Sequence, residues 1–232
     1  MELYGKTDPR DIPSYSIRDA AKYLRIPAGT ISSWVKGRNY PTANGLNFFK
    51  PLILTQELKP KLLSFTNLVE IHILRAIRKH HKIQLDNVRK ALDYIDEQFQ
   101  VPHPLAREKF RTDGVDLFIE RYGSLINASK AGQTDMKEAL NAHLERIEPD
   151  DTGLAIKFYP FTRSHEEDNP RIVVIDPRIA FGRLVIADTG ITTSILAERL
   201  KAGDSIEDLA DDYDCDPAII QEAIRCELPA AA

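Results

Sequence analysis

Cysteine is nearly missing from this sequence: Cys215 and Cys226 are the only two, too few for a disulfide framework and without metal-ligand spacing. Long apolar runs are missing too. No stretch approaches ~18 apolar residues, so no transmembrane helix is expected. The first six residues lack the basic-then-apolar layout of a secretory signal, and the expectation is a soluble, reduced, cytoplasmic protein. There is no glycine-rich phosphate loop and no nucleophile motif. His80 and His81 have no companion cysteine or carboxylate triplet for zinc. The run Asp211, Asp212, Asp214 and Asp216 lacks the glycine and distal glutamate of a calcium loop. The expectation is therefore a non-enzyme with no catalytic residue, no metal and no cofactor.

What is present is an ordinary globular composition with an uneven charge distribution. The 232 residues, 43% of them hydrophobic, are enough to bury a real core. Residues 1–90 hold 16 Lys and Arg against 7 Asp and Glu, a balance of +9. Residues 91–169 hold 9 against 16, giving −7, and residues 170–232 hold 6 against 12, giving −6. A basic head on an acidic body is the asymmetry expected when one domain meets a polyanion and another meets something else.

The head has recognisable grammar. Ser16 can cap a first helix, with Asp19 in its first turn, and Ile17, Ala20, Ala21 and Leu24 share one face. Pro27 breaks the run. A second helix over residues 28–35 turns Ile31 and Trp34 inward, and Gly37 ends it. Asn44-Gly45 then signals a hairpin turn, with Phe48, Phe49, Leu52, Ile53 and Leu54 as the return strand. Helix–turn–helix followed by hairpin is the layout of a winged helix.

The middle region reads as amphipathic helices over residues 62–79 and 86–99. His72 and His143 fall on apolar helix faces and read as interior histidines. Short strands are expected over residues 109–111 and 117–120, turning at Asp113-Gly114, before a helix marked by Met136, Leu140, His143, Leu144 and Ile147. Residues 154–159 and 172–175 look like strands, with a polar loop at 164–170 between them. A strand at 184–187 leads into three helices: residues 193–201, one capped by Asp204 or Ser205, and one opened by Pro217. The fold class is thus mainly α with small β (α+β). A winged helix-turn-helix head (1–60), a helical and α+β middle (61–165) and a C-terminal three-helix, helix-turn-helix-like domain preceded by short strands (166–232) make up the expected organisation.

Two segments resemble known families. The run from Tyr15 to Ala21, with Thr30-Ile31, resembles the MerR-type winged helix-turn-helix, although Gly29 and Ser32 stand where basic residues are common. The resemblance implies a second helix in the DNA major groove and a wing on the backbone. Residues 170–228 resemble the domain-of-unknown-function 433 family through Asp176-Pro177-Arg178-Ile179, Phe181-Gly182-Arg183-Leu184, Asp188-Thr189-Gly190, Gly203-Asp204-Ser205 and Leu209-Ala210-Asp211-Asp212-Tyr213. Phe181 replaces a usual glycine there, and Gly190 a common arginine. That resemblance implies an antitoxin-like protein partnered with a nuclease toxin of PIN-related fold.

Major-groove binding needs an exposed polar helix face with cations nearby. Thr30, Ser32, Ser33 and Lys36 on the second helix, Arg38, Asn39 and Tyr40 entering the wing, and Arg18 in the first helix are the DNA-binding candidates. The C-terminal unit has the wrong charge for DNA, so Asp208, Asp211, Asp212 and Tyr213 are the candidates for a protein partner. The expected function is a repressor that binds double-stranded operator DNA as a homodimer and acts as the antitoxin of a type II pair, neutralising a PIN-like nuclease toxin by occlusion. Two other readings stay open: a ligand-responsive MerR-type regulator with a sensor in residues 100–165, and an interaction adaptor that binds no DNA. No membrane partner is expected.

Overall fold

The computed structural model describes residues 7–42, 45–55, 62–79, 85–163 and 169–228. A short strand β1 (Tyr15–Ser16) opens directly into α1 (Ile17–Leu24). The start of α1 is a capping box: the Asp19 amide donates to Ser16 Oγ at 3.1 Å, and the Ser16 amide donates to the Asp19 carboxylate at 2.9 Å. Arg25, in left-handed backbone with φ 51°, ends the helix. After Pro27, α2 (Ala28–Lys36) buries Ile31, Trp34 and Val35. It stops at Gly37, whose φ of 73° favours glycine and where a Cβ would lie 2.4 Å from the Phe49 carbonyl oxygen.

The hairpin joins β2 (Arg38–Thr42) to β3 (Gly45–Phe49). Its register pairs Thr42 with Gly45, so Gly45 belongs to the strand and not to the two-residue loop, while Asn44 lies outside the described residues. The return strand also ends earlier than expected, at Phe49. Leu52 and Ile53 instead donate their amides to the Trp34 carbonyl at 2.7 and 3.1 Å, tying the chain to the end of α2. Leu62 and Leu63 form β4, antiparallel to β1, so the following helix α3 (Phe65–Lys79) starts later than its apolar pattern implies.

Helix α3 is the axis of the molecule. Leu68, Val69, Ile71, Ile73, Leu74, Ala76 and Ile77 are all buried, a helix apolar on nearly every side. Helix α6 (Lys130–Leu144) packs on it, α5 (Val115–Ile126) packs on α6, and α4 (Leu85–Phe99) on α5, with short helical turns at Pro104–Ala106 and Phe110–Gly114. The two strands expected between residues 109 and 120 are absent. That stretch is a wide helical turn, Phe110–Gly114, in which the Val115 amide reaches the Phe110 carbonyl, running straight into α5. Gly114 is there for close packing, since a Cβ would sit 2.6 Å from the Phe110 ring and 3.0 Å from that of Phe99.

Strands β5 (Ile147–Pro149), β6 (Ala155–Phe158), β7 (Val173–Ile175) and β8 (Leu184–Ile186) form an antiparallel sheet in chain order. Because β6 pairs with β7, this sheet spans both sides of position 166. Buried Arg146 fastens the two ends of the intervening segment, donating to the carbonyls of Tyr159, Pro160, Asn169 and Pro170 at 2.8–3.2 Å. Burial, with Arg171 nearby, lowers the Arg146 pKa to about 10. Helices α7 (Thr193–Ala202), α8 (Ile206–Tyr213) and α9 (Pro217–Arg225) complete the chain. One buried apolar cluster runs from Tyr15 through α3 to Cys226.

Candidate nucleic-acid interface and the C-terminal unit

The outer surface of the head carries the sequence-selected side chains in unequal degrees. Arg18, Lys36, Arg38 and Asn39 are exposed. Thr30, Ser32, Ser33 and Tyr40 are half-buried, and the Ser33 hydroxyl is turned into the protein, where it has no hydrogen-bond partner among the described residues. Strand alternation divides the wing candidates. Arg38 and Tyr40 share a face with Asn47, whose amide donates to the Tyr40 hydroxyl at 3.3 Å. Asn39 lies on the other face, opposite Phe48 and next to the Pro41–Leu46 pair. On that face Leu46 is 79% and Phe48 52% exposed. The exposed cations therefore sit at the start of α1, at the end of α2 and on one side of the wing, a placement suited to phosphate contacts.

Two supporting arginines were not singled out by sequence reasoning. Arg89 of α4 donates to the Pro51 carbonyl at 2.7 Å and to that of Lys50, and its guanidinium lies 4.9 Å from the Phe49 ring centre, which fixes the wing root. Arg75 of α3 donates to the Leu24 carbonyl at 2.9 Å, satisfying the end of α1. In the sequence both register only as charge.

The acidic C-terminal candidates are partly consumed by their own helices. Asp208 completes a capping box with Ser205, accepting the Ser205 amide at 3.0 Å and its hydroxyl at 2.6 Å, which together lower its pKa. Asp212 and Asp204 each hold Arg199 at 2.5 Å, and that guanidinium lies over the Tyr213 ring. Asp211 is exposed and Tyr213 half-buried. Asp216 caps α9 through the Ala218 amide at 2.7 Å.

The motif Asp176-Pro177-Arg178 is a structural clamp. Asp176 is fully buried and accepts the Arg178 amide at 2.9 Å and its guanidinium at 2.9 and 2.6 Å. Ala180, Phe181 and Gly182 then follow with φ of 47°, 56° and 74°. The left-handed backbone explains why a glycine is usual at the position of Phe181, which is 67% exposed.

The same turn holds the head. Tyr15 Oη donates to the Gly182 carbonyl at 2.9 Å, and a Cβ on Gly182 would lie 2.1 Å from that hydroxyl oxygen. Lys22 of α1 pairs with Glu227, which also accepts from Thr193 Oγ1 at 2.5 Å, and Arg25 reaches the Arg225 carbonyl at 3.5 Å. Burial and the Glu227 charge raise the Tyr23 pKa to about 12. No local pattern announces contacts that join residues about two hundred positions apart.

His72 and His143 are buried side by side, with ring centres 4.6 Å apart and planes tilted by 36°, and with Phe158 and Phe161 around them. His72 Nε2 contacts the His143 carbonyl at 3.0 Å, and His143 Nδ1 the Ala139 carbonyl at 3.0 Å. Burial and the second imidazole keep the His72 pKa well below its usual value, which favours the neutral ring in this apolar setting. Among the described residues no group of three or more His, Cys, Asp or Glu could hold a metal ion. No helix among them is long and apolar enough to cross a membrane.

Comparisons with known proteins agree with the C-terminal geometry. The chain is 28% identical over 92% of its length, and 93% of the other chain, to the Mycobacterium tuberculosis protein named "Putative antitoxin VapB45". It is 25% identical over 94% of its length, and 91% of the other, to uncharacterized protein Rv2308 of the same organism. The crystal structure of Rv2018 from M. tuberculosis shares the fold at a TM-score of 0.66 and 21% identity, covering 92% of this chain and 98% of that one. Strands β7 and β8 and helices α7 to α9, residues 173–225, match the family model described as "Protein of unknown function (DUF433)".

Proposed function

We propose that the protein is a DNA-binding repressor and the antitoxin of a type II toxin–antitoxin pair, acting by occlusion and without chemistry of its own. The observation that carries the antitoxin reading is the near full-length likeness to a protein bearing that name, with a DUF433 match at the C-terminus. The DNA reading rests on the head: α2 and the hairpin leave Lys36, Arg38 and Asn39 exposed in a region of net charge +9. Operator binding by a homodimer would place two such heads in successive half-sites. Asp211, with Tyr213 beside it, is the part of the acidic surface best placed to meet a basic toxin, since Asp208 and Asp212 are engaged within their own unit.

The toxin half of the proposal is tested by adding the protein to the purified product of the neighbouring gene and measuring RNA cleavage. Stoichiometric loss of cleavage, weakened by Asp211→Lys, is the expected result. A neighbouring product without nuclease activity, or one unaffected by equimolar protein, would overturn the antitoxin role.

A further inference from the structure

A cleft of about 150 Å³ opens between the wing root, α3, α4 and the turn that follows α4. Leu52, Leu54 and Leu92 line its apolar walls, and Glu70, Asp96 and His103 bring its charges. Glu70 is only 6% exposed, yet both its oxygens are engaged: one accepts Asn67 Nδ2 at 3.2 Å and the other meets His103 Nδ1 at 3.1 Å. His103 is held there by two flanking prolines and a left-handed backbone, φ 54°. Glu70 and His103 thus pair across the cleft wall. The Asp96 carboxylate, at the rim, has no hydrogen-bond or ion-pair partner among the described residues. Partial burial, with Asp93 and Glu70 close by, raises its pKa against the opposing pull of His103.

We propose that this cleft binds a small organic cation, an ammonium group on a compact apolar body, with the ammonium at Asp96 and Glu70 and the body against the leucines. Apolar walls with a few convergent polar groups are the usual make-up of a ligand site. A hydrated metal ion would gain nothing from the leucines, and an anion would meet two carboxylates. The cleft is wired to the head, because Asn67 Nδ2 donates both to Glu70 and to the Leu54 carbonyl, at 3.0 Å, in the chain just after the wing. Drawing Glu70 toward a bound ammonium shifts that shared donor and with it the wing root.

The test is calorimetric titration of the full chain with phenethylammonium, against phenethyl alcohol and phenylacetate as neutral and anionic counterparts of similar shape. Saturable binding of the ammonium is expected, with the alcohol and the Asp96→Asn variant each about threefold to fivefold weaker, the range of a part-exposed ion pair. Asp96 lies at the surface, so its variant folds; Glu70→Gln serves as a second variant with the same direction. Absence of saturable ammonium binding, equal affinity for the alcohol, or affinity unchanged by Asp96→Asn would overturn the proposal. None of these outcomes depends on DNA or on a toxin.

Discussion

At the scale of single residues, the fold turns on a few side chains whose roles are settled by burial and partner. Glu222 is 3% exposed on α9 and accepts from Arg163 at 3.0–3.3 Å, from Thr162, and from Arg225 at 3.3 Å. Burial would raise its pKa, but the Arg163 and Thr162 hydrogen bonds outweigh it and hold the carboxyl below its usual value. A carboxyl depressed on folding contributes stability that is fully present above its unfolded pKa and is lost as pH falls through the folded one. Glu222→Gln is therefore expected to cost about 1–3 kcal/mol at neutral pH and to flatten the acid side of the stability curve, measured by urea unfolding between pH 7 and 3. An unchanged pH slope would contradict this role. Gly182 offers a sharper case. Gly182→Ala strains a left-handed residue and drives a methyl into the Tyr15 hydroxyl, whereas Tyr15→Phe removes only a hydrogen bond worth about 1 kcal/mol. The alanine variant should be the less stable of the two, and in the Tyr15→Phe background its cost should shrink.

At the scale of elements, local rules account for both ends of the chain. The capping boxes at Ser16 and Ser205, the stops at Gly37 and Gly203 and the cap before Pro217 are fixed by neighbours within a few residues; sequence reasoning places the Ser16 cap, both glycine stops and Pro217 at the start of α9, and narrows the α8 cap to Asp204 or Ser205. Asp208→Ala should then destabilise the C-terminal unit by about 1 kcal/mol through the lost cap, as read by thermal unfolding. A variant of wild-type stability would leave Asp208 free for the partner role first expected of it. The middle was less legible. Asp113-Gly114 has turn chemistry, yet the glycine serves ring packing inside a helix, a tertiary demand that overrides local preference. Leu62 and Leu63 continue the apolar period of α3 but are claimed by β1, a partner about fifty residues away. Of the candidate interface, composition reveals the exposed cations. It could not reveal that Ser33 turns inward or that Arg38 and Asn39 occupy opposite wing faces, because the register of the hairpin decides both.

At the scale of the whole molecule, the head is not a bead on a string. Tyr15, Lys22 and Arg25 fasten β1 and α1 to the C-terminal unit, and a single apolar cluster runs through both. Calorimetry should show one cooperative unfolding transition; two well-separated transitions would contradict a shared core. Removing residues 170–232 strips β7 and β8 from the sheet and removes the surface that α1 and β1 rest on. The truncated chain is therefore expected to lose head stability along with any toxin contact, and point variants are the cleaner probes of each surface.

DNA binding by the head is the central claim, and fluorescence anisotropy with a labelled duplex from upstream of the gene tests it most directly. The protein should bind that duplex more tightly than a scrambled one, with affinity falling steeply as salt rises. Lys36→Ala and Arg38→Ala should weaken binding evenly across sequences and each lower the logarithmic salt slope by about 0.9. Binding that is absent with and without the neighbouring gene product, or that is indifferent to both substitutions and to salt, would contradict the account.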